Sequence, residues 1–234
     1  MIKKKLLLKL TGSALKGQDG SRLSTAFIDS IAKQIKSLQG THIFSLVIGG
    51  GNIFRGGRDG KLLGLDPSVS HQIGMLATNI NALIIKEVFQ MNGIASVILS
   101  AQQSLDIGNL ASQNNISKAL RENYCIIFSG GTGNPFFSTD TAAVLRALQI
   151  NADEVLKGTD VEGVFDEDPK LISDAKLLKK IEFKQALEKK LNIMDHMAFV
   201  LASENSLPIR VFNVFEENSI LKVCKNNDFG SLIY

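Results

Sequence analysis

Cysteine is scarce in this chain. Only Cys125 and Cys224 occur, on segments that read as strand and helix, so buried thiols in a reducing compartment are expected rather than a disulfide framework or a zinc site. Long apolar runs are missing too: no stretch approaches the roughly 20 residues needed to span a bilayer. The opening "MIKKKLLLKLTG" has the start of a secretion signal, but Lys9 ends its apolar run well short of an h-region. Excess charge of one sign is absent as well, with 26 Lys and Arg against 23 Asp and Glu for a formal +3, which calls for neither nucleic acid nor a membrane surface. The two best-known phosphate-binding patterns, GxGxxG and GxxxxGK[ST], do not occur. The expectation is a cytoplasmic chain with no membrane, no required nucleic acid and no protein-held metal.

What is present is α/β patterning. Short runs rich in Leu, Ile and Val recur as "LLLKL" (6–10), "IFSLVI" (43–48), "ASVIL" (95–99), "YCIIF" (124–128) and "IRVFN" (209–213), continuous rather than alternating, as in parallel strands covered on both faces. Helical patterns separate them. Ser24 can cap a helix whose Phe27, Ile28, Ile31, Ile35 and Leu38 share one face, and His71–Met91 carries a similar stripe ending at Gly93. "STDTAAVLRAL" and "MDHMAFVLASEN" add two more. This alternation predicts an open, mostly parallel sheet with helices on both faces, and ligands outside the carboxyl ends of its strands. At 234 residues and 44% apolar, with no repeat, low-complexity tract or linker, residues 1–234 read as one domain.

Glycines gather at the predicted strand ends: Gly12, Gly49–Gly51, Gly130, Gly131, Gly133 and Gly158. Gly allows positive φ and close backbone approach to a ligand, so one shared site accounts for them more economically than separate turns. Lys9, at the end of the first strand, and Arg55, in "LVIGGGNIFRGG", add two cations suited to polyphosphate oxygens. "FSGGTGNPFFSTDTAA" (128–143) combines a rigid polar turn, two phenylalanines in a loop and a helix opened by Thr139 and Asp140. Core plugs and a helix cap would explain parts of it; a planar-base pocket beside a phosphate-binding helix N-terminus explains the whole. "LKGTDVEGVFDEDP" (156–169) reads as a long loop carrying Lys157, Thr159, Phe165 and Asp168, and Asp195 in "MDHMA" as a helix start, where capping is its plainest role.

Together, "KLTGSAL", "VIGGGNIFRG", "GMLAT", "GTGNPFFSTDTAA", "VEGVFDEDPK" and "MDHMAFVLASENSLPIRVFN" resemble the bacterial UMP kinases (uridylate kinases) of the amino-acid kinase superfamily, in order along nearly the whole chain. The resemblance implies a three-layer α/β/α sandwich, transfer of the ATP γ-phosphoryl group to UMP in pyrimidine nucleotide biosynthesis, Mg²⁺ supplied as Mg·ATP, and a homohexamer. By position it implies an ATP side of Lys9, Leu10, Thr11, Gly12, Gly51, Arg55, Thr159, Phe165 and Asp168. The UMP side would be Gly50, His71, Thr132, Gly133, Asn134, Pro135, Phe136, Phe137, Ser138 and Thr139. Lys9, Arg55, Asp140 and Asp195 would carry the catalysis, the two cations meeting transition-state charge and the two aspartates holding lysine or solvated Mg²⁺ in place.

The chain departs from that pattern in three places. His71 stands where the resemblance implies an aspartate on the acceptor ribose, Val97 and Tyr124 stand where arginines associated with GTP regulation are usual, and Ser13 replaces a common glutamate. Two other readings of the same residues are a kinase acting on a carboxylate or small phosphate, and an inactive nucleotide sensor. Against the first stands the GTGNPFFST segment; against the second, Lys9, Arg55, Asp140 and Asp195.

Overall fold

The computed structural model describes every residue except 1, 2, 18–20, 22, 105, 168–170, 173, 190 and 192. Chain order runs β1 (Lys4–Leu10), α1 (Thr25–Leu38), β2 (His42–Ile48), α2 (Pro67–Met91), β3 (Ser96–Ser100), β4 (Asn109–Leu110), α3 (Gln113–Arg121), β5 (Cys125–Ser129) and α4 (Thr139–Gln149). It continues with β6 (Glu154–Thr159), β7 (Val164–Phe165), β8 (Leu177–Leu178), β9 (Lys180–Ile181), α5 (Phe183–Glu188), α6 (His196–Glu204), β10 (Ile209–Asn213), α7 (Ser219–Lys225) and β11 (Ser231–Ile233). Nine strands form one sheet in the order β4-β3-β5-β2-β1-β6-β10-β11-β9, and β7 pairs with β8 in a separate hairpin. Within the large sheet every neighbouring pair is parallel except β10 and β11.

β1 shows why the strands read as unbroken apolar runs. Leu6, Leu8 and Leu10 point to one face, joining α1, α2 and α7 through Ile28, Ile85 and Ile220; Leu7 points to the other, joining α4 and α6 through Ala143 and Ala198. Helices cover both faces, as the patterning predicted. Lys9 is two residues beyond Leu7 and therefore faces α4 and α6, where only 4% of it is exposed. A lysine so placed, buried among leucines, needs a partner.

Several boundaries differ from expectation. α2 starts at Pro67 behind an Asp66 cap, so His71 lies a turn inside the helix rather than at its start. Lys157, Gly158 and Thr159 are not loop residues: they close β6, and a Cβ on Gly158 would come within 2.9 Å of Leu10 Cδ2. Phe165 belongs to β7. Among the described residues no helix is long and apolar enough to cross a membrane.

Candidate functional site

The site grows from one register. Lys9 pairs with Lys157 across β1 and β6, so two ammonium groups leave neighbouring strands on the same face. Like charges side by side repel, and the answer lies in the first turn of α4. Asp140 sits there between them: Oδ1 faces Lys9 Nζ as an ion pair, and Oδ2 accepts a 2.8 Å hydrogen bond from Lys157 Nζ. Lys157 also donates to the Ile193 carbonyl. Side chains of the three are 6%, 14% and 14% exposed for Lys9, Asp140 and Lys157, so their interactions are poorly screened.

Burial pushes the Lys9 ammonium below its usual pKa; Asp140 counters this and Lys157 reinforces it. For Asp140, burial pulls upward, but Lys9 and Lys157 together outweigh it and hold the carboxyl below the usual range. The triad is one carboxylate and two ammoniums. It therefore carries a surplus positive charge at the carboxyl end of the sheet.

Asp195 caps α6, accepting from Ala198 N at 3.0 Å, and also accepts from the hydroxyls of Ser138 and, at 3.1 Å, Thr141. Ser138 in turn caps α4, accepting from Asp140 N and Thr141 N at 2.9 and 3.2 Å. One carboxylate thus ties the starts of two helices together and aims the α4 N-terminus. Asp140 is thus held by two lysines and Asp195 by three donors. No group of three or more His, Cys, Asp or Glu able to hold an ion occurs among the described residues.

The glycine loops meet beside the triad. A Cβ on Gly12 would lie 2.4 Å from Gly51 N, and one on Gly49 would lie 2.8 Å from Gly12 N, so the loops after β1 and β2 pack backbone against backbone. Gly50 is pressed onto α2, where a Cβ would come within 2.7 Å of Gly74 O. A buried amide pair, Asn52 with Asn81, fixes this arrangement, and Asn81 Nδ2 also donates to Gly49 O at 2.8 Å. Arg55 is exposed and its Nε donates to Gly51 O at 3.3 Å, so it borders the glycine loop without joining the triad. Thr11 accepts from Ser13 Oγ at 3.1 Å in the turn that follows Leu10, and Thr159 ends β6 beside Asp160. Asp168 lies outside the described residues.

On the other side, the loop from Gly130 to Ser138 begins with two left-handed residues, Gly130 and Gly131, and has two more at Gly133 and Phe136. Its start is anchored by Gly130 N donating to Thr78 Oγ1 at 2.8 Å, with Thr132 and Asn134 bonded to each other inside it. Thr139 Oγ1 lies 3.5 Å from where a Gly49 Cβ would stand, so this loop's end reaches the triple-glycine loop. Phe136 and Phe137 are 66% and 40% exposed, which removes the core-plug reading. The Phe136 ring is met by His71, with centroids 4.9 Å apart. Val97 and Tyr124 stand elsewhere, at the β3–β5 edge, lining a groove of about 260 Å³ with Lys118 and Glu122.

The family model for the amino acid kinase family matches residues 4–213. The chain belongs to that family. It is 43% identical to a uridylate kinase of Fervidobacterium nodosum over 232 residues, covering 98% of this chain and 97% of the relative. With the uridylate kinase of Haemophilus influenzae it shares 41% identity, covering 99% and 98%. Among solved structures it resembles UMP kinase from Ureaplasma parvum, with a TM-score of 0.95 and 35% identity over 100% of this chain and 99% of that one. UMP kinase from Bacillus anthracis follows at 0.93 and 33%, covering 98% and 95%. The amino acid kinase fold thus accounts for the mostly parallel sheet and its two helical layers. Lys157, Asn52, Asn81 and Thr78 were not among the predicted site residues. Lys157 could have been found from its place directly after the apolar pair Val155–Leu156, had that segment been read as a strand.

Proposed function

We propose that this chain, acting as one domain, is a UMP kinase that transfers the γ-phosphoryl group of ATP to UMP, giving UDP and ADP. The observation that carries the reading is the Lys9–Asp140–Lys157 triad, placed where the glycine loops and the GTGNPFFST loop converge. The full-length similarity to uridylate kinases supports it. Lys9, Leu10, Thr11, Gly12, Gly51, Arg55, Thr159, Phe165 and Asp168 form the donor side. His71, Gly50 and the run Thr132–Thr139 form the acceptor side.

The chemistry needs no general base. A phosphate monoester loses its second proton near pH 6, so the acceptor reaches the site already a nucleophilic anion at neutral pH. Correspondingly, both site carboxylates have structural partners: Asp140 orients two lysines, and Asp195 accepts hydrogen bonds from hydroxyl and amide groups. Catalysis is then positioning plus positive charge. Lys9 and Lys157 meet the charge spreading over the transferring group, and Asp140 keeps them from repelling each other apart. Mg²⁺ would arrive with the donor as Mg·ATP and would supply further positive charge beside Lys9 and Lys157.

A homo-oligomer, specifically a hexamer, is part of this reading. Association is supported by the exposed apolar stripe of Val69, Leu76, Ile80 and Leu83 along α2, a surface a monomer would leave in water, and the number six rests on the resemblance alone. The cytoplasm is the compartment that supplies both nucleotides. The decisive experiment supplies Mg·ATP with UMP, CMP, glutamate or carbamate in parallel. UMP should be phosphorylated and CMP discriminated against; equal turnover of the two would remove the dedicated UMP site.

A further inference from the structure

Two arginines are buried among the described residues. Arg210, 4% exposed, is answered by Glu154 at 2.6 Å and by the carbonyls of Asn227 and Phe229. Arg146, 5% exposed, has no carboxylate partner among the described residues. Its Nη1 donates to Gln149 Oε1 at 2.6 Å, Nη2 reaches Gly131 O at 3.5 Å, and Nε is buried without a hydrogen-bond partner. The guanidinium carbon lies 5.5 Å from the centroid of the Phe128 ring.

Burying a charge without a counter-ion is costly. Part of that cost is offset by the negative end of the α4 dipole, since Arg146 is in the last turn, and by the ring face beneath it. Neither explains why a cation is there rather than a leucine. The contact with Gly131 does. Ser138 caps α4 and ends the acceptor loop, while Arg146 reaches from the far end of the same helix back to the loop's beginning. Gly130 and Gly131 are both left-handed, and their two peptide planes set the direction in which Thr132 to Thr139 leave β5.

We infer that Arg146 is a positioning residue for the acceptor nucleotide: wedged between Phe128 and the Gly131 carbonyl, it fixes the start of the Gly130–Ser138 loop. This rests on reading that loop as the UMP side. Arg146 touches no reacting atom, so its loss should weaken acceptor binding and spare both donor binding and the chemical step. Lysine keeps the charge but lacks the planar fork that reaches two acceptors at once.

The test uses the full chain with Arg146→Met, Arg146→Lys and Gln149→Ala, followed by steady-state kinetics and by amide hydrogen exchange without nucleotide. Arg146→Met should raise the KM for UMP about tenfold, leaving the KM for ATP and the kcat at saturating UMP within about twofold. Arg146→Lys should fall between it and the parent. Gln149→Ala, which frees one end of the guanidinium, should shift the same KM by about two- to threefold. Exchange should quicken at 131–137 and not in α1. A folded Arg146→Met with an unchanged KM for UMP, or with equal losses for UMP and ATP, overturns the proposal. If Arg146→Met does not fold, Gln149→Ala decides it by the same split. A parent that ignores UMP would sink the functional reading, while hydrogen exchange would still report whether Arg146 holds the loop.

Discussion

β1 and β6 carry an ion cluster at each end, and the two are built on the same plan. At the amino end Glu154 lies between Lys4, 2.9 Å away, and Arg210, 2.6 Å away; at the carboxyl end Asp140 lies between Lys9 and Lys157. Each is one carboxylate between two cations. They differ in how completely the protein answers them. At the amino end the Arg210 fork is also held by two carbonyls, and the Lys4 side chain is 48% exposed, so water takes the surplus charge. At the carboxyl end Lys9 is buried and the Lys157 side chain is only 14% exposed, and Asp140 Oδ1 meets Lys9 as an ion pair without hydrogen-bond geometry. The first cluster is complete in the folded chain. The second has surplus buried charge that an anionic ligand would neutralise, which is why the same composition reads as structure at one end and as a site at the other.

The sharpest way to break this comparison is to remove each carboxylate or cation and ask whether folding or turnover fails. Glu154→Gln leaves Arg210 buried beside neutral groups, a change of the kind that costs about 3–5 kcal/mol. The melting temperature should then fall by about 10 °C or more for a chain of this size. The surviving folded enzyme should keep its KM values. A melting temperature within about 2 °C of the parent would show that water reaches Arg210 and that the amino-end cluster is not structural.

Lys9→Met is the matching change at the carboxyl end, and its signature should be reversed. Asp140 still pairs with Lys157, and the remaining pair is neutral, so stability should hardly move. The kcat should fall by on the order of 10²-fold, as for loss of one preorganised electrostatic donor. Normal kcat with only a raised KM for ATP would take Lys9 out of the transition state.

pH separates the clusters further. Asp140 is held below its ordinary pKa, so it contributes stability at neutral pH that is lost as the solution is acidified through the ordinary carboxylate range and below. Lys9 is also held below its ordinary value of 10.5, and the slope has the same sign: in the window between its folded and ordinary pKa the unfolded chain binds more protons, so stability rises with pH as the cost of burying the ammonium is relieved. Activity should decline in that same window as the ammonium is lost. Melting curves and kcat across pH should therefore diverge for the parent, and Lys9→Met should show neither the alkaline gain nor the alkaline limb. Parallel profiles for the two proteins would mean that Lys9 does not titrate there.

How far the sequence could be read follows the same division. The parallel core was legible because runs such as "IFSLVI" are apolar on both faces, and Lys9 was legible because a lysine ended such a run. β6 was not, since "EVLKGT" leaves only two apolar residues between Glu154 and Lys157, one charge in each cluster. Once that strand is missed, Lys157 is one of several polar residues in a long loop. Asn81 and Arg146 were hidden for another reason: on a helix a buried polar residue looks like any other until its partner is known, and those partners, Asn52 and Gly131, are distant in sequence.

The acceptor loop supplies the last and smallest test, because it contrasts with the triad in being exposed and conformationally strained. Phe136 holds φ at +70° with most of its ring in water, an arrangement unfavourable for a bulky side chain on both counts. His71 is the side chain that meets it, and the backbone of the same residue lies 3.4 Å from where a Cβ on Gly56 would stand, next to Arg55. His71 thus bridges the loop assigned to the acceptor and the glycine loop shared with the donor. An aspartate there would accept strong hydrogen bonds from ribose hydroxyls, whereas a neutral imidazole accepts through one nitrogen only. His71→Asp should accordingly lower the KM for UMP, by up to about tenfold for a bond to a charged group, and leave that for ATP unchanged. His71→Ala removes both the acceptor nitrogen and the ring that packs on Phe136, and should raise the KM for UMP. If both variants keep UMP kinetics within about twofold of the parent, a difference of only about 0.4 kcal/mol, His71 supports Phe136 alone and the acceptor's ribose is held elsewhere.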